Sequence, residues 1–206
     1  INGKWQKTLI EFNGKFVYIH SDDPTLNTFT QDDLRFYESD GESFDGPNNL
    51  EIGQTIYGEG TGDLSGVTAL SEDGLTLAVG ASKNDGNGNN SGHVRVYQLT
   101  NSPEVWVQIG NDIDGDSAGD LLGSDISLNS DGTVLAIGAP QNKSGDSLIG
   151  EVKIYELIGS NWVQRGTSIT GSSDDSKLGT SVSLNGVGDR VALGSGAFPS
   201  KNFDLG

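Results

Sequence analysis

The run Asp112-Ile113-Asp114-Gly115-Asp116-Ser117-Ala118-Gly119-Asp120 is the densest group of carboxylates in the chain. Oxygen ligands at the first, third, fifth and ninth positions of a loop, with glycine permitting the tight turn, suit a hard cation such as Ca2+. Asp112, Asp114, Asp116 and Asp120 are therefore candidate metal ligands, and Ca2+ is the cofactor they imply. The corresponding positions nearby hold Thr55, Tyr57 and Glu59 on one side and Ser168, Thr170 and Ser172 on the other. The carboxylates do not recur there, whereas Ile56, Ile113 and Ile169 do. A strand edge with one residue turned inward, followed by a solvated acidic turn, is the competing reading.

Asp85, Asn87 and Asn89 repeat the one-three-five spacing, but a single carboxylate holds Ca2+ weakly and a polar loop competes. Asp22, Asp23, Asp32 and Asp33 flank the corresponding loop of an earlier segment. The triplets Asn89-Asn90-Ser91 and Asn142-Lys143-Ser144 make Asn89 and Asn142 glycosylation acceptors if the chain is secreted by a eukaryote. Catalysis finds no comparable grouping. The two histidines, His20 and His93, are far apart, cysteine is absent, and no spacing pairs a nucleophile with a base. No catalytic residue is assigned.

The elements that must carry these residues repeat. Asp73-Gly74-Leu75-Thr76-Leu77-Ala78-Val79-Gly80-Ala81 matches Asp131-Gly132-Thr133-Val134-Leu135-Ala136-Ile137-Gly138-Ala139, then Gly188-Asp189-Arg190-Val191-Ala192-Leu193-Gly194, and more loosely Asn13-Gly14-Lys15-Phe16-Val17-Tyr18-Ile19. A second block runs Asp33 to Tyr37, His93 to Tyr97 and Glu151 to Tyr155. A third runs Trp106 to Gly110 and Trp162 to Gly166. The anchoring glycines at 14, 74, 132 and 188 are spaced by 60, 58 and 56 residues. A period of 20–50 residues or slightly more is the mark of solenoids and propellers. Each unit reads as about four short strands, with two-residue hairpin turns at Asp73-Gly74 and Asp131-Gly132. The expected fold is all-β: a β-propeller of four-stranded antiparallel blades, incomplete at roughly three to four blades. It forms one partial domain over 1–206, with units near 1–52, 53–109, 110–165 and a shortened 166–206. Trp106 and Trp162, at one repeat position, are expected to pack between units.

Composition narrows the function. Twelve Lys and Arg against 29 Asp and Glu give a formal charge of −17, which removes the basic face that nucleic acid requires. No apolar run approaches the roughly 20 residues of a membrane-spanning helix. Zero cysteine excludes disulfide scaffolds and thiolate metal sites. The chain starts at Ile1 and lacks methionine, so a processed chain or a piece of a longer polypeptide is expected.

Gly123 to Pro140, ending in Gly138-Ala139-Pro140, resembles the FG-GAP repeat of integrin alpha-subunit propellers and related proteins. Gly110-Asn111-Asp112-Ile113-Asp114-Gly115 and Gly92-His93-Val94-Arg95-Val96-Tyr97 resemble its flanking stretches. The resemblance covers residues from about 50 onward clearly and 1–49 weakly. It departs where Leu122-Gly123 and Leu178-Gly179 replace Phe-Gly, and where the short stretch Leu128 to Thr133 replaces the integrin calcium loop. The resemblance implies a seven-bladed propeller in an extracellular or cell-surface protein, adhesive, with calcium in some blades. The expected function is non-enzymatic binding of a protein or glycan ligand at a cell surface or matrix, through loops 82–91, 140–149 and 196–204. A structural subunit or spacer, its open blade edges covered by remaining blades or another chain, is the alternative. A polysaccharide-active propeller enzyme ranks below both.

Overall fold

Apolar residues at both parities, as in Leu-Ala-Val-Gly-Ala, make a strand that is satisfied only when covered on both faces. That requirement organises the chain. The computed structural model describes residues 15–20, 33–38, 50–101, 104–145 and 147–196. Among them there is no helix, and every sheet is antiparallel.

The first sheet holds β1 (Lys15–His20), β2 (Asp33–Glu38), β3 (Leu50–Glu51) and β4 (Ile56–Tyr57). The second holds β5 (Ser65–Leu70), β6 (Thr76–Ala81), β7 (His93–Asn101), β8 (Glu104–Gln108) and β9 (Ile113–Asp114). In the third are β10 (Asp125–Leu128), β11 (Val134–Ala139), β14 (Glu151–Ile158), β15 (Asn161–Gln164) and β16 (Ile169–Thr170). Between β11 and β14 lies a small hairpin of β12 (Lys143–Ser144) and β13 (Ser147–Leu148). The fourth sheet is β17 (Leu178–Leu184) paired with β18 (Val191–Ser195).

The second and third sheets share one plan. Their order is β5-β6-β7-β8 and β10-β11-β14-β15, and β9 and β16 pair with the free start of β7 and β14. The outermost lane is thus split in two, β8 covering one half of β7 and β9 the other. Register repeats as well: Leu77 lies opposite Tyr97 and Val79 opposite Arg95, as Leu135 lies opposite Tyr155 and Ile137 opposite Lys153. The second sheet therefore takes its last strand from across the sequence-repeat boundary near residue 110.

The hairpin turns are longer than the two residues expected from Asp-Gly. Residues 72–75 lie between Ser71 and Thr76, whose backbones close the turn at 2.8 Å, while Gly74 donates to Ser71 O at 2.9 Å. Gly74, Gly132 and Gly188 occupy the left-handed region (φ +72°, +69° and +70°). The extra residues follow from side-chain competition for backbone amides. Ser71 Oγ accepts from Thr76 N at 2.8 Å and donates to Asp73 Oδ1 at 2.6 Å. Ser71→Ala is expected to cost about 1 kcal/mol in urea denaturation, because the hydroxyl sits between a buried amide and a carboxylate. A loss below a few tenths would show that water replaces the hydroxyl.

Successive sheets stack with the same backbone contacts. Glu72 N donates to Ser130 O at 2.8 Å, and Ser130 N donates to Gly186 O at 2.9 Å, so the three turns form a ladder. Gly92 bridges Leu122, and Gly150 bridges Leu178. A side chain at Gly80 would strike the Gly123 carbonyl, and one at Gly138 the Gly179 carbonyl. Glycine is needed in both Gly-Ala and Leu-Gly elements because two backbones meet there.

Three apolar layers result. Ile52, Ile56, Leu77, Val79, Tyr97 and Trp106 belong to the first, and Trp106 Nε1 donates to Ile52 O at 3.3 Å. Val94, Val96, Leu122, Ile126, Leu135 and Ile137 belong to the second, against which Trp162 packs. Ala136, Val152 and Val182 centre the third. β6 and β11 are buried at every position, whereas β18, of the same sequence type, is half-buried or exposed throughout.

Candidate functional site

Alternation along β7 puts His93, Arg95 and Tyr97 on one face and Val94 and Val96 on the other. The valines enter the second apolar layer and Tyr97 the first. His93 and Arg95 consequently look toward the turn that follows β4, where Glu59 lies. Asp112 reaches the same place from the connection between β8 and β9. Both sequence-adjacent sheets thus contribute to one polar cluster.

His93 is 4% exposed. Its Nδ1 lies 3.8 Å from Glu59 Oε2 and 3.7 Å from Asp112 Oδ2, and it has no hydrogen-bond partner among the described residues. Arg95 clamps both carboxylates. Its Nη2 lies 2.8 Å and its Nε 3.0 Å from Asp112 Oδ2, and Nη2 also pairs with Glu59 Oε1. The remaining oxygens are held too: Gln108 Nε2 donates to Asp112 Oδ1 at 2.6 Å, and Asn84 Nδ2 donates to Glu59 Oε2 at 3.1 Å.

Electrostatics follow from this packing. Burial, then the Arg95 charge, pushes His93 below its usual imidazole value, with Asp112, Glu59 and Asp114 pulling the other way. Burial also opposes the Arg95 charge and the Asp112 charge. Their mutual hydrogen bonds outweigh it, raising Arg95 and lowering Asp112. Burial raises Tyr97. Beside the cluster is a cavity of about 10 Å³ lined by Ile56, Tyr57, Ser65, Val79, His93 and Arg95 among others. That is room for about one water.

The next unit repeats the scaffold with different chemistry. Glu151, Lys153 and Tyr155 on β14 stand where His93, Arg95 and Tyr97 stand on β7. Lys153 Nζ meets Asp116 Oδ2 at 2.6 Å, as Arg95 meets Glu59. Ser168 occupies the position of Asp112. A buried cation from one sheet pairing with a turn carboxylate of the preceding sheet is therefore a repeated device. The histidine with two carboxylates occurs, among the described residues, only once.

The sequence-identified acids disperse. Asp112 joins Arg95 and His93, while Asp114 is exposed on β9 opposite His93. Asp116 pairs with Lys153, and Asp120, 3% exposed, accepts from Ser117 N at 2.8 Å to close a turn. Ile113 is buried in the second layer. Asp85 Oδ1 accepts from Asn90 N at 2.7 Å, Asn87 Nδ2 donates to Gly115 O at 2.8 Å, and Asn89 Oδ1 accepts from Asn90 Nδ2 at 2.8 Å. Asp85 and Asn89 thus bond within the loop, while Asn87 ties it to the acidic turn. Asn89 is exposed and Asn142 half-buried. Asp33 lies in β2, while Asp22, Asp23, Asp32 and residues 197–204 of the third loop lie outside the described residues.

Glu59, His93 and Asp112 are, among the described residues, the group whose ligand-type atoms all lie within 4.8 Å of one another. Sequence reading reached Asp112 but not its companions. The available signal was the alternation in His-Val-Arg-Val-Tyr, together with Glu59 standing one period before Asp116. No protein-family model matches the chain, and no curated protein matches it.

Proposed function

We propose that the chain is a segment of a β-propeller of FG-GAP type. It works outside the cell or at its surface as a non-enzymatic module for adhesion or ligand binding. The observation that carries this reading is the repeated inter-sheet geometry: the same turn ladder, the same glycine-to-carbonyl approach and the same parallel bridge join consecutive sheets. The same step from the second sheet to the third and from the third to the fourth is what a radial array of blades needs.

Topology separates the ladder of turns from the longer connections. The ladder of short turns lies at one end of the sheets. The longer connections after β6 and β11 lie at the other, beside the acidic turns 115–121 and 171–178. Connections of this kind carry recognition when a rigid sheet positions them. The ligand is a protein or glycan of a cell surface or matrix, met by loops 82–91 and 140–149. Binding of labelled chain to cells, matrix and glycan arrays tests this. Replacing both loops with short Gly-Ser turns should abolish a signal that Gly186→Ser, on the opposite end, leaves intact. A signal indifferent to the loops would overturn the assignment, as would no binding anywhere.

The exposure of β18 favours a second reading, a structural subunit whose open edge is covered by further blades or another chain. Among the described residues β18 pairs on one side only, with β17, and an open edge of this kind invites further pairing. Sedimentation of the 21.6 kDa chain separates the two, since a stable, soluble monomer opposes the structural reading. No helix among the described residues is long and apolar enough to cross a membrane.

A further inference from the structure

We propose that Glu59, His93 and Asp112 form a binding site for a divalent transition-metal ion of the Zn2+ type, joining the turn after β4 to the second sheet. The argument begins with His93. Its Nδ1 is buried and unpartnered among the described residues, yet it points at two carboxylate oxygens. With the proton on Nε2, the Nδ1 lone pair faces two anions. With the proton on Nδ1, the donor finds no acceptor, because 3.7 and 3.8 Å exceed hydrogen-bond length. Either tautomer leaves Nδ1 unsatisfied, and a cation between it and the two carboxylate oxygens supplies the missing partner.

The distances suit such an ion. Zn–N and Zn–O bonds near 2.0–2.1 Å set ligand atoms of a tetrahedron about 3.3 Å apart. The two His93 Nδ1 separations of 3.7 and 3.8 Å close to that value with a shift of about half an ångström, and the three ligand atoms lie within 4.8 Å of one another. A buried imidazole selects this class over Ca2+, which takes six to eight oxygens. The supporting groups are also in place. Arg95 holds one oxygen of each carboxylate, Asn84 fixes Glu59, and Gln108 fixes Asp112. Arg95 on Glu59 Oε1 and Gln108 on Asp112 Oδ1 thus orient the carboxylates from behind, as metal-binding carboxylates are oriented, while Asn84 and Arg95 also donate to Oε2 and Oδ2, bonds that a bound ion shares or displaces. Charge agrees as well. Glu59, Asp112 and Asp114, whose charges all act on His93, exceed the single Arg95 by two, which one dication neutralises. The third sheet provides an internal contrast: with Glu151 and Ser168 at the corresponding positions it lacks both the imidazole and the second carboxylate.

The test is titration of the full chain with Co2+, Zn2+ and Ca2+ in turn, read by visible absorption for Co2+ and thermal melting for all three. The expected result is one equivalent of Co2+ with the intense visible band of a four- or five-coordinate ion. Zn2+ at a hundredfold its Kd should raise Tm by about 5–10 °C, and Ca2+ should leave Tm unchanged. His93→Gln and Glu59→Gln should each weaken Co2+ binding at least tenfold. Glu59 is 46% exposed in its side chain, so the second variant stays informative if the first does not fold. Affinity should also fall at acid pH, below the usual imidazole value, because protons then compete for Nδ1. The proposal is overturned by no Co2+ band and no Zn2+ shift at millimolar metal. Equal binding in both folded variants overturns it, as does a Ca2+ shift larger than that of Zn2+, which would move the site to the acidic run.

Discussion

Gly138→Ala is expected to lower the unfolding free energy by about 3 kcal/mol or more, the upper range for forcing extra atoms into a close-packed site. The added Cβ would run into the Gly179 carbonyl, with the Gly179 carbonyl carbon at 2.9 Å. Both obstacles are backbone, held by the parallel bridge between Gly150 and Leu178 next door, so relief requires two sheets to separate. The cost is one of contact and not of dihedral angle, since Gly138 does not lie in the left-handed region. Gly159→Ala isolates the other term: φ is +65° with nothing within 4 Å, and about 1 kcal/mol is expected. Gly194→Ala completes the series. It stands where Gly80 and Gly138 stand, but the nearest atom is Ser181 Oγ, a side chain that can rotate away, and the cost should be under 1 kcal/mol. Urea denaturation of the three variants reads this ordering directly. Equal losses for Gly138 and Gly159 would refute the close backbone contact. A loss at Gly194 as large as at Gly138 would mean that β18 is covered in solution.

The same glycines show what a single sequence reveals here. Gly80, Gly138 and Gly194 mark the repeat at a period near 58, and the all-β, antiparallel character follows from their strands. What each glycine avoids is not visible from the period, because Gly123 and Gly179 belong to the following unit. Turn length was also hidden. Asp-Gly predicts a two-residue hairpin, but Ser71 and Asn129 place side-chain oxygens on strand amides and lengthen the turn. The candidate site was legible only in part for a related reason. Local spacing groups residues 112 to 120, whereas Glu59 and Asp112 are brought together by Arg95 from 36 and 17 residues away. A period identifies equivalent positions. It does not say that a cation on one strand faces a turn of the preceding sheet.

That cross-sheet device leads to a prediction about Lys153, whose side chain is 5% exposed. Burial opposes its charge, yet its hydrogen bond to Asp116 and the charge of Glu151 raise its pKa above the usual lysine value. A raised cationic pKa means that the folded state holds the proton more tightly than the unfolded one. The stabilisation is therefore complete below about pH 10.5 and is lost only as pH rises through the folded value. At neutral pH the question is which partner depends on the lysine more. Asp116 is 62% exposed in its side chain, so water and salt screen it, and Asp116→Asn should cost about 1 kcal/mol. Glu151 is 6% exposed and keeps Lys153 company in that variant. Lys153→Met reverses the situation by leaving the Glu151 carboxylate buried without its cation. The cost should approach 2–3 kcal/mol, somewhat below the 3–5 kcal/mol of fully buried pairs. Adding Glu151→Gln to Lys153→Met should then recover most of that loss, since an amide carries no charge to desolvate. A double-mutant cycle by urea denaturation measures the coupling. If the double variant is no more stable than Lys153→Met alone, the dominant interaction of Lys153 is with Asp116 across the sheets. The repeated carboxylate–cation pair would then be the larger contributor to stacking.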